Sequence, residues 1–220
     1  MLAPRLPAGF DPTVLVRAQT IIGIAGGSGS GKTTLAHALV RALGLERCAL
    51  LEHDAYYRDL THLSLAERSL VNFDHPDSLD STLLAQHLDS LRAGRAASVP
   101  IYDFETHTRQ PDIERVSPRP FVVVDGILLL AVAALRERFD LRVFVDAPAD
   151  IRLIRRLQRD TQERGRDLDG VCRQYLQSVR PMHQQWVEAS RPHADLTVSG
   201  TCGLDATVRA VLARFAAAHV

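Results

Sequence analysis

The chain has 220 residues, enough for one well-buried α/β domain with an appended subregion and too few for two large independent domains. Its 26 basic and 26 acidic residues cancel, so no global field exists to hold a nucleic-acid polymer or an anionic membrane, and a small ligand suits the chain better. Cys48, Cys172 and Cys202 are widely spaced and lack a C-x-x-C, which argues against a disulfide framework or a zinc site and for the reducing cytoplasm.

Residues 1–19 carry Pro4, Pro7 and Pro12 and no apolar run of signal-peptide length, so they are expected to be a loose lead-in to one domain spanning 20–220. Ile21 to Ala25 is short, β-branched and apolar, the composition of a strand buried on both faces. Gly26, Gly27, Ser28, Gly29, Ser30, Gly31, Lys32 and Thr33 follow and fit G-x-x-x-x-G-K-[ST]. Leu35, Ala38, Leu39 and Ala42 then recur at helical spacing up to Gly44, a helix stop. Strand, glycine loop and helix form a phosphate cradle: backbone N–H groups wrap the anion and the helix N-terminus adds its positive end. Lys32 is placed to reach the β- and γ-phosphates and Thr33 to offer its hydroxyl to Mg²⁺.

Cys48 to Leu51 reads as a second buried strand that delivers Glu52, His53 and Asp54 to the sheet edge where ligands bind. Asp54 there is either the base that takes a proton from an acceptor hydroxyl or a cap for the next turn. Pro76 and its Asx neighbours signal a turn, Ser78 is the expected N-cap, and a helix is expected over 79–91. Pro100 and Pro111 each remove a ladder donor, so residues 99–118 are read as an exposed hairpin lobe. Phe121 to Asp125 is a central strand whose terminal carboxylate either reaches Mg²⁺ or simply precedes a turn at Gly126. The apolar stretch 121–135 is too short to span a bilayer, and a helix is expected over 128–138.

Residues 141–146 form another strand. From Asp150 to Glu163 a helical wheel sets Arg152, Arg155, Arg156 and Arg159 opposite Leu153, Ile154 and Leu157. The apolar side is expected to pack, and the arginine side either neutralises phosphate or is simply solvated. Residues 160–170, with Gly165 as hinge, read as a lid. A helix over 168–188 should kink or divide at Pro181, and a strand over 194–198 and a helix over 204–218 close the chain. This alternation predicts a P-loop NTPase-type doubly wound parallel sheet with a small projecting β-hairpin lobe.

Five segments in order resemble the uridine kinase (uridine-cytidine kinase) family: Gly26 to Thr34, His53 to Tyr57, Asn72 to Asp77, Pro100 to Phe104, and Arg159 through Asp167. The resemblance runs from about Ile21 to Val198 and implies transfer of phosphate from ATP (or GTP) to the 5′-hydroxyl of uridine or cytidine. It implies Asp54 as base, with Asp54, Thr33 and Asp125 around Mg²⁺, and Gly26 to Thr34, Arg159 and Arg164 on the donor. Tyr57, Phe73, Asp74, Tyr102, Phe104, His107, Arg156, Arg166 and Gln174 would hold the nucleoside. It also implies a homotetramer. The family usually has Glu-Gly where this chain has Asp125-Gly126, which implies a water-bridged metal contact, and a basic residue that Ser199 to Gly203 lacks. Two other readings share the cradle: a phosphoribulokinase-like enzyme, and a nucleotide-binding regulator without an acceptor.

Overall fold

Five short, largely apolar segments pair side by side in the computed structural model, which describes residues 19–218. They are β1 (Thr20–Ala25), β2 (Cys48–Glu52), β5 (Phe121–Asp125), β6 (Leu141–Asp146) and β7 (Leu196–Ser199), in the order β2-β5-β1-β6-β7 and all parallel. Every residue of β1 and β5 is buried, as a sheet covered on both faces requires. The lead-in assigned to residues 1–19 lies almost wholly outside the described residues.

Between β1 and β2 runs α1 (Lys32–Leu43), ended by Gly44 at φ 97°. Then come α2 (Leu65–Ser69), α3 (Ser81–Arg92) and an antiparallel pair, β3 (Ala97–Asp103) with β4 (Thr108–Val116). After β5 and a short α4 (Ala133–Arg136), β6 leads into α5 (Ala149–Glu163). Then α6 (Leu168–Gln174) continues through α7 (Arg180–Met182) to Glu188, and α8 (Leu204–Ala218) follows β7. One core lies between the sheet, α1 and α8, centred on Ile22, Leu39, Val123 and Leu212. The other lies under α3, β3 and the turns after β5, and includes Leu84, Leu88, Val99, Val124 and Leu129.

Four expectations are corrected. The helix over 128–138 shrinks to α4: Leu128, Leu129 and Leu130 are all fully buried in irregular backbone, with the Leu130 and Ala131 carbonyls taken by the Arg136 guanidinium. Asp80, not Ser78, caps α3, accepting from the Leu83 amide at 3.1 Å, while the Ser78 hydroxyl donates back to the His75 carbonyl at 2.7 Å. The helix over 168–188 is helical throughout, but it is wound as a π-helix over 175–179 and 183–188, on either side of Pro181. Most consequentially, α5 packs the opposite way from its hydrophobic pattern. Arg152 and Arg156 are 7% exposed, whereas Ile154 is 51% exposed. Carbonyl and carboxylate partners draw the arginine side inward.

Candidate active site

The carboxyl ends of β1, β2 and β5 lie side by side, with Asp125 in register with both Ile24 and Glu52. All the functional loops depart from this edge, as expected for ligand sites of parallel sheets. From β1 the chain enters residues 26–31 and turns directly into α1. Gly29 sits at φ 79°, and a side chain there would run into the Arg152 carbonyl, so only glycine lets the loop lie against α5. At Gly27 a side chain would meet Arg152 and the His183 ring at 2.7 and 2.9 Å. Gly26, Gly27 and the buried Ser30 form the back of the loop. Gly29, Gly31, Lys32, Thr33 and Thr34 line its cavity.

On that cavity the Thr33 hydroxyl donates to Asp125 Oδ2 at 2.5 Å, and Lys32 Nζ lies 4.0 Å from Asp125 Oδ1. Asp125 is 5% exposed and its Oδ1 accepts no hydrogen bond from the described residues. Burial pushes its carboxyl pKa up, and the Lys32 ammonium opposes that. A serine/threonine hydroxyl beside an under-satisfied strand-end carboxylate is a hard-oxygen pair suited to Mg²⁺, which takes most of its remaining ligands from water and phosphate. No group of three or more His, Cys, Asp or Glu side chains among the described residues forms a self-sufficient metal cage.

Asp54 follows β2 in a single 3₁₀ turn, 53–56, held by fully buried His53 and Tyr56. The His53 Nε2 lies 3.2 Å from the Ser81 hydroxyl, which fixes the turn to α3. One carboxylate oxygen of Asp54 is buried and has no hydrogen-bond partner among the described residues, as a group awaiting a ligand proton would.

A second cavity adjoins the first. Lys32, Asp54, Phe104, Arg159 and Arg164 line both, so Asp54 stands where the two meet. All nine residues assigned to the acceptor converge on the second cavity: Tyr57, Phe73, Asp74, Tyr102, Phe104, His107, Arg156, Arg166 and Gln174. Its aromatic wall is interlocked. Tyr57 meets Phe73 edge-on at 5.3 Å, Tyr102 meets Phe104 at 5.2 Å, and the His107 ring stacks on Phe73 at 4.8 Å. His107 has φ 55°, an uncommon conformation for a residue with a side chain, in the loop that turns β3 into β4. Burial, with Arg166 and Arg68 nearby, lowers its pKa against the opposing pull of Asp103. The Tyr102 hydroxyl is buried with no hydrogen-bond partner among the described residues, and burial raises the pKa of Asp74, which Arg156 partly offsets.

Sequence reasoning left Arg109 and Arg68 without a role and offered Arg155 only as part of the arginine side of α5. Arg109 on β4 donates to the Tyr57 and Tyr56 carbonyls at 2.8 and 3.2 Å, tying the hairpin to the turn that carries Asp54. Arg68 donates to the carbonyls of Leu60, Leu63 and Thr106, so it holds the hairpin tip. The only sequence signal near it was the Ser64–Glu67 capping box that starts α2. Arg155 gives the Gly200 carbonyl a hydrogen bond of 3.0 Å and reaches the outward carbonyls of Gly29 and Ser30 at 3.3 and 3.4 Å.

This fold and site define a P-loop kinase, a phosphotransferase. Residues 21–203 match the model of the phosphoribulokinase / uridine kinase family, and the chain belongs to that family. It is 48% identical to a uridine kinase of Chloroflexus aurantiacus over 90% of this chain and 95% of that protein. It is 45% identical to a uridine kinase of Lactococcus lactis over 84% of this chain and 92% of that protein. The phosphoribulokinase structure from Rhodobacter spheroides shares the fold, with a TM-score of 0.63 at 15% identity over 83% of this chain and 70% of that one.

Proposed function

We propose that the protein transfers the γ-phosphoryl group of ATP to the 5′-hydroxyl of uridine or cytidine, giving UMP or CMP. The observation that carries this reading is the placement of Asp54 between a phosphate cradle and a cavity walled by Tyr57, Phe73, Tyr102 and His107. In this reading the backbone of 26–31 and Lys32 hold the donor, and Thr33 and Asp125, with Asp54 nearby, hold Mg²⁺. When bound, that ion neutralises charge on the β- and γ-phosphates. Asp54 accepts the proton of the 5′-hydroxyl as the oxygen attacks phosphorus. Asp74 accepts hydrogen bonds from the ribose hydroxyls. His107 and the Tyr102 hydroxyl read the edge of the base, and the aromatic rings take its faces. Arg159 and Arg164 meet the charge developing on the transferring group.

A phosphoribulokinase-like acceptor would bring its own phosphate and need an anion pocket in place of a base site. Arg156 and Arg166 on the acceptor wall are oriented by the Gln174 side-chain oxygen, at 2.9 and 2.8 Å, and keep their charge, so the aromatic wall carries the distinction. Flat aromatic surface suits a base better than a sugar phosphate. GTP as an alternative donor, cytoplasmic location and a homotetramer belong to the same reading. No described helix is long and apolar enough to cross a membrane. The test is ADP release with ATP and Mg²⁺ over a panel of uridine, cytidine and ribulose 5-phosphate, with light scattering for the assembly. Stimulation by the pyrimidine nucleosides alone is expected. Stimulation by the sugar phosphate alone, or by nothing, would transfer the assignment to one of the other two readings.

A further inference from the structure

Four guanidinium groups line the nucleoside cavity, those of Arg156, Arg159, Arg164 and Arg166, and such a group of like charges repels itself where water is scarce. Asp54 and Asp74 line the same cavity, and a third carboxylate, Asp160, lies within 4 Å of all four. Asp160, in the last turn of α5, has no exposed surface. Its Oδ1 accepts from Arg159 Nε at 2.9 Å and lies 3.8 Å from Arg164 Nη1. Its Oδ2 lies 3.4 Å from Arg156 Nε and 3.9 Å from Arg166 Nη1. The chain folds back onto the same residue, since the Arg166 amide donates to the Asp160 carbonyl at 3.1 Å.

Two features separate this arrangement from an ordinary buried ion pair. The carboxylate is shared by four cations instead of satisfying one, and Oδ2 and Arg156 Nε lack a hydrogen-bond partner of their own. Two of the arginines also reach the cradle, where the Ser28 hydroxyl lies 3.1 Å from Arg156 Nη1 and 3.4 Å from Arg159 Nη2. Asp160 thus ties the four guanidinium groups together, and even with Asp54 and Asp74 on the same cavity the arginines outnumber the carboxylates, an excess that an arriving polyphosphate would complete.

We propose that Asp160 is a positioning residue for phosphoryl transfer: a resident counter-ion that holds the four arginines together and so keeps Arg159 and Arg164 in the arrangement the donor phosphates need before those phosphates arrive. Preorganised charge is effective because no reorganisation is needed when the reaction occurs. Without Asp160 the guanidinium groups separate, residues 164–167 lose their anchor, and the polyphosphate must assemble its own site. This inference rests on the phosphoryl-transfer reading of the cleft.

The test compares the wild type with Asp160→Asn and Asp160→Ala, using inorganic tripolyphosphate as probe in calorimetry, steady-state kinetics with ATP and uridine, and thermal melting. Asp160→Asn should weaken tripolyphosphate binding and lower kcat/KM by on the order of 30-fold. Added formate should restore binding and turnover to Asp160→Ala, because a small carboxylate can refill the space, and should not raise either in the wild type. Tripolyphosphate binding by Asp160→Asn within about threefold of wild type would overturn the proposal. So would variants that fail to fold and recover neither binding nor activity with formate, since Asp160 would then serve folding alone. A wild type that binds tripolyphosphate but leaves uridine unphosphorylated would count against the nucleoside assignment and not against Asp160, because the binding arm needs no acceptor.

Discussion

The two halves of the cleft are built in different ways. In the proposed reading the donor half is backbone: one uninterrupted segment from β1 through residues 26–31 into α1 would present amides to phosphate. The acceptor half is side chains drawn from distant segments, Tyr57 after β2, Phe73 and Asp74 before α3, Tyr102 and His107 on the hairpin, and Gln174 on α6. Continuous backbone geometry depends on glycines and is generic for phosphate. Converging side chains depend on the whole fold and are where selectivity resides. The two halves should therefore fail separately.

The sharpest separation is expected from Asp54→Asn, which keeps the shape of both halves and removes the base that joins them. ATP and uridine should each still bind, while kcat falls by about 10²- to 10⁴-fold. Single-turnover quench experiments with binding measured in parallel would show this, and near-normal turnover would place the base elsewhere. Next in size is Gly29→Ala, which forces a side chain onto the Arg152 carbonyl at φ 79°. The strain should weaken ATP binding by about 10- to 100-fold and leave uridine binding to the free enzyme unchanged, as read by calorimetry with each ligand.

Phe104→Ala tests the comparison from the other side, although Phe104 lines both cavities and Arg164 lies over its ring at 5.2 Å. Loss of the ring should raise the uridine KM by roughly five- to tenfold through lost stacking, with a smaller rise for ATP through the lost cation–π contact. Equal rises for both substrates would mean that the halves are not separable there.

The smallest effect concerns the back of the donor loop. Burial, reinforced by Arg152, lowers the His183 pKa to about 4, against the opposing pull of Glu188 and Asp146. The unfolded chain takes up this proton near pH 6.5 and the folded chain refuses it until about pH 4, so acid favours unfolding. The stability at stake is fully present above pH 6.5 and declines toward pH 4, by on the order of 1 kcal/mol per pH unit. Urea titrations at several pH values should show the decline in the wild type and a shallower one in His183→Gln. Raised carboxyls such as Asp125 act with the opposite sign, so the difference between the two proteins is the quantity to read.

The same contrast explains what could be read from the sequence. The donor half was legible because eight consecutive residues encode it, and β1, β2, β5 and β6 were legible as apolar runs. Helix α5 was legible as a helix but its buried face was not, because a wheel ranks arginine as solvent-facing and carries no information that Gly29, Ser30, Gly200 and Asp160 wait on that side with oxygen acceptors. The helix expected after β5 failed for a related reason. Leu128, Leu129 and Leu130 are buried together in a turn whose carbonyls Arg136 satisfies, a partnership that periodicity cannot express. Asp80 outranked Ser78 as the cap of α3 because Ser78 was already engaged with the 73–75 carbonyls. The acceptor residues were found through family resemblance, since no local pattern connects Tyr57 with His107.

The central claim is that the cleft passes phosphate from ATP to the 5′-hydroxyl of a pyrimidine ribonucleoside. The most direct measurement is phosphorus NMR and mass analysis of the product formed from ATP, Mg²⁺ and a mixture of uridine and cytidine. The account predicts nucleoside 5′-monophosphate in equal amount to ADP, and its loss in Asp54→Asn. ADP formed without any nucleotide monophosphate from either nucleoside, or phosphate on a different hydroxyl, would contradict it.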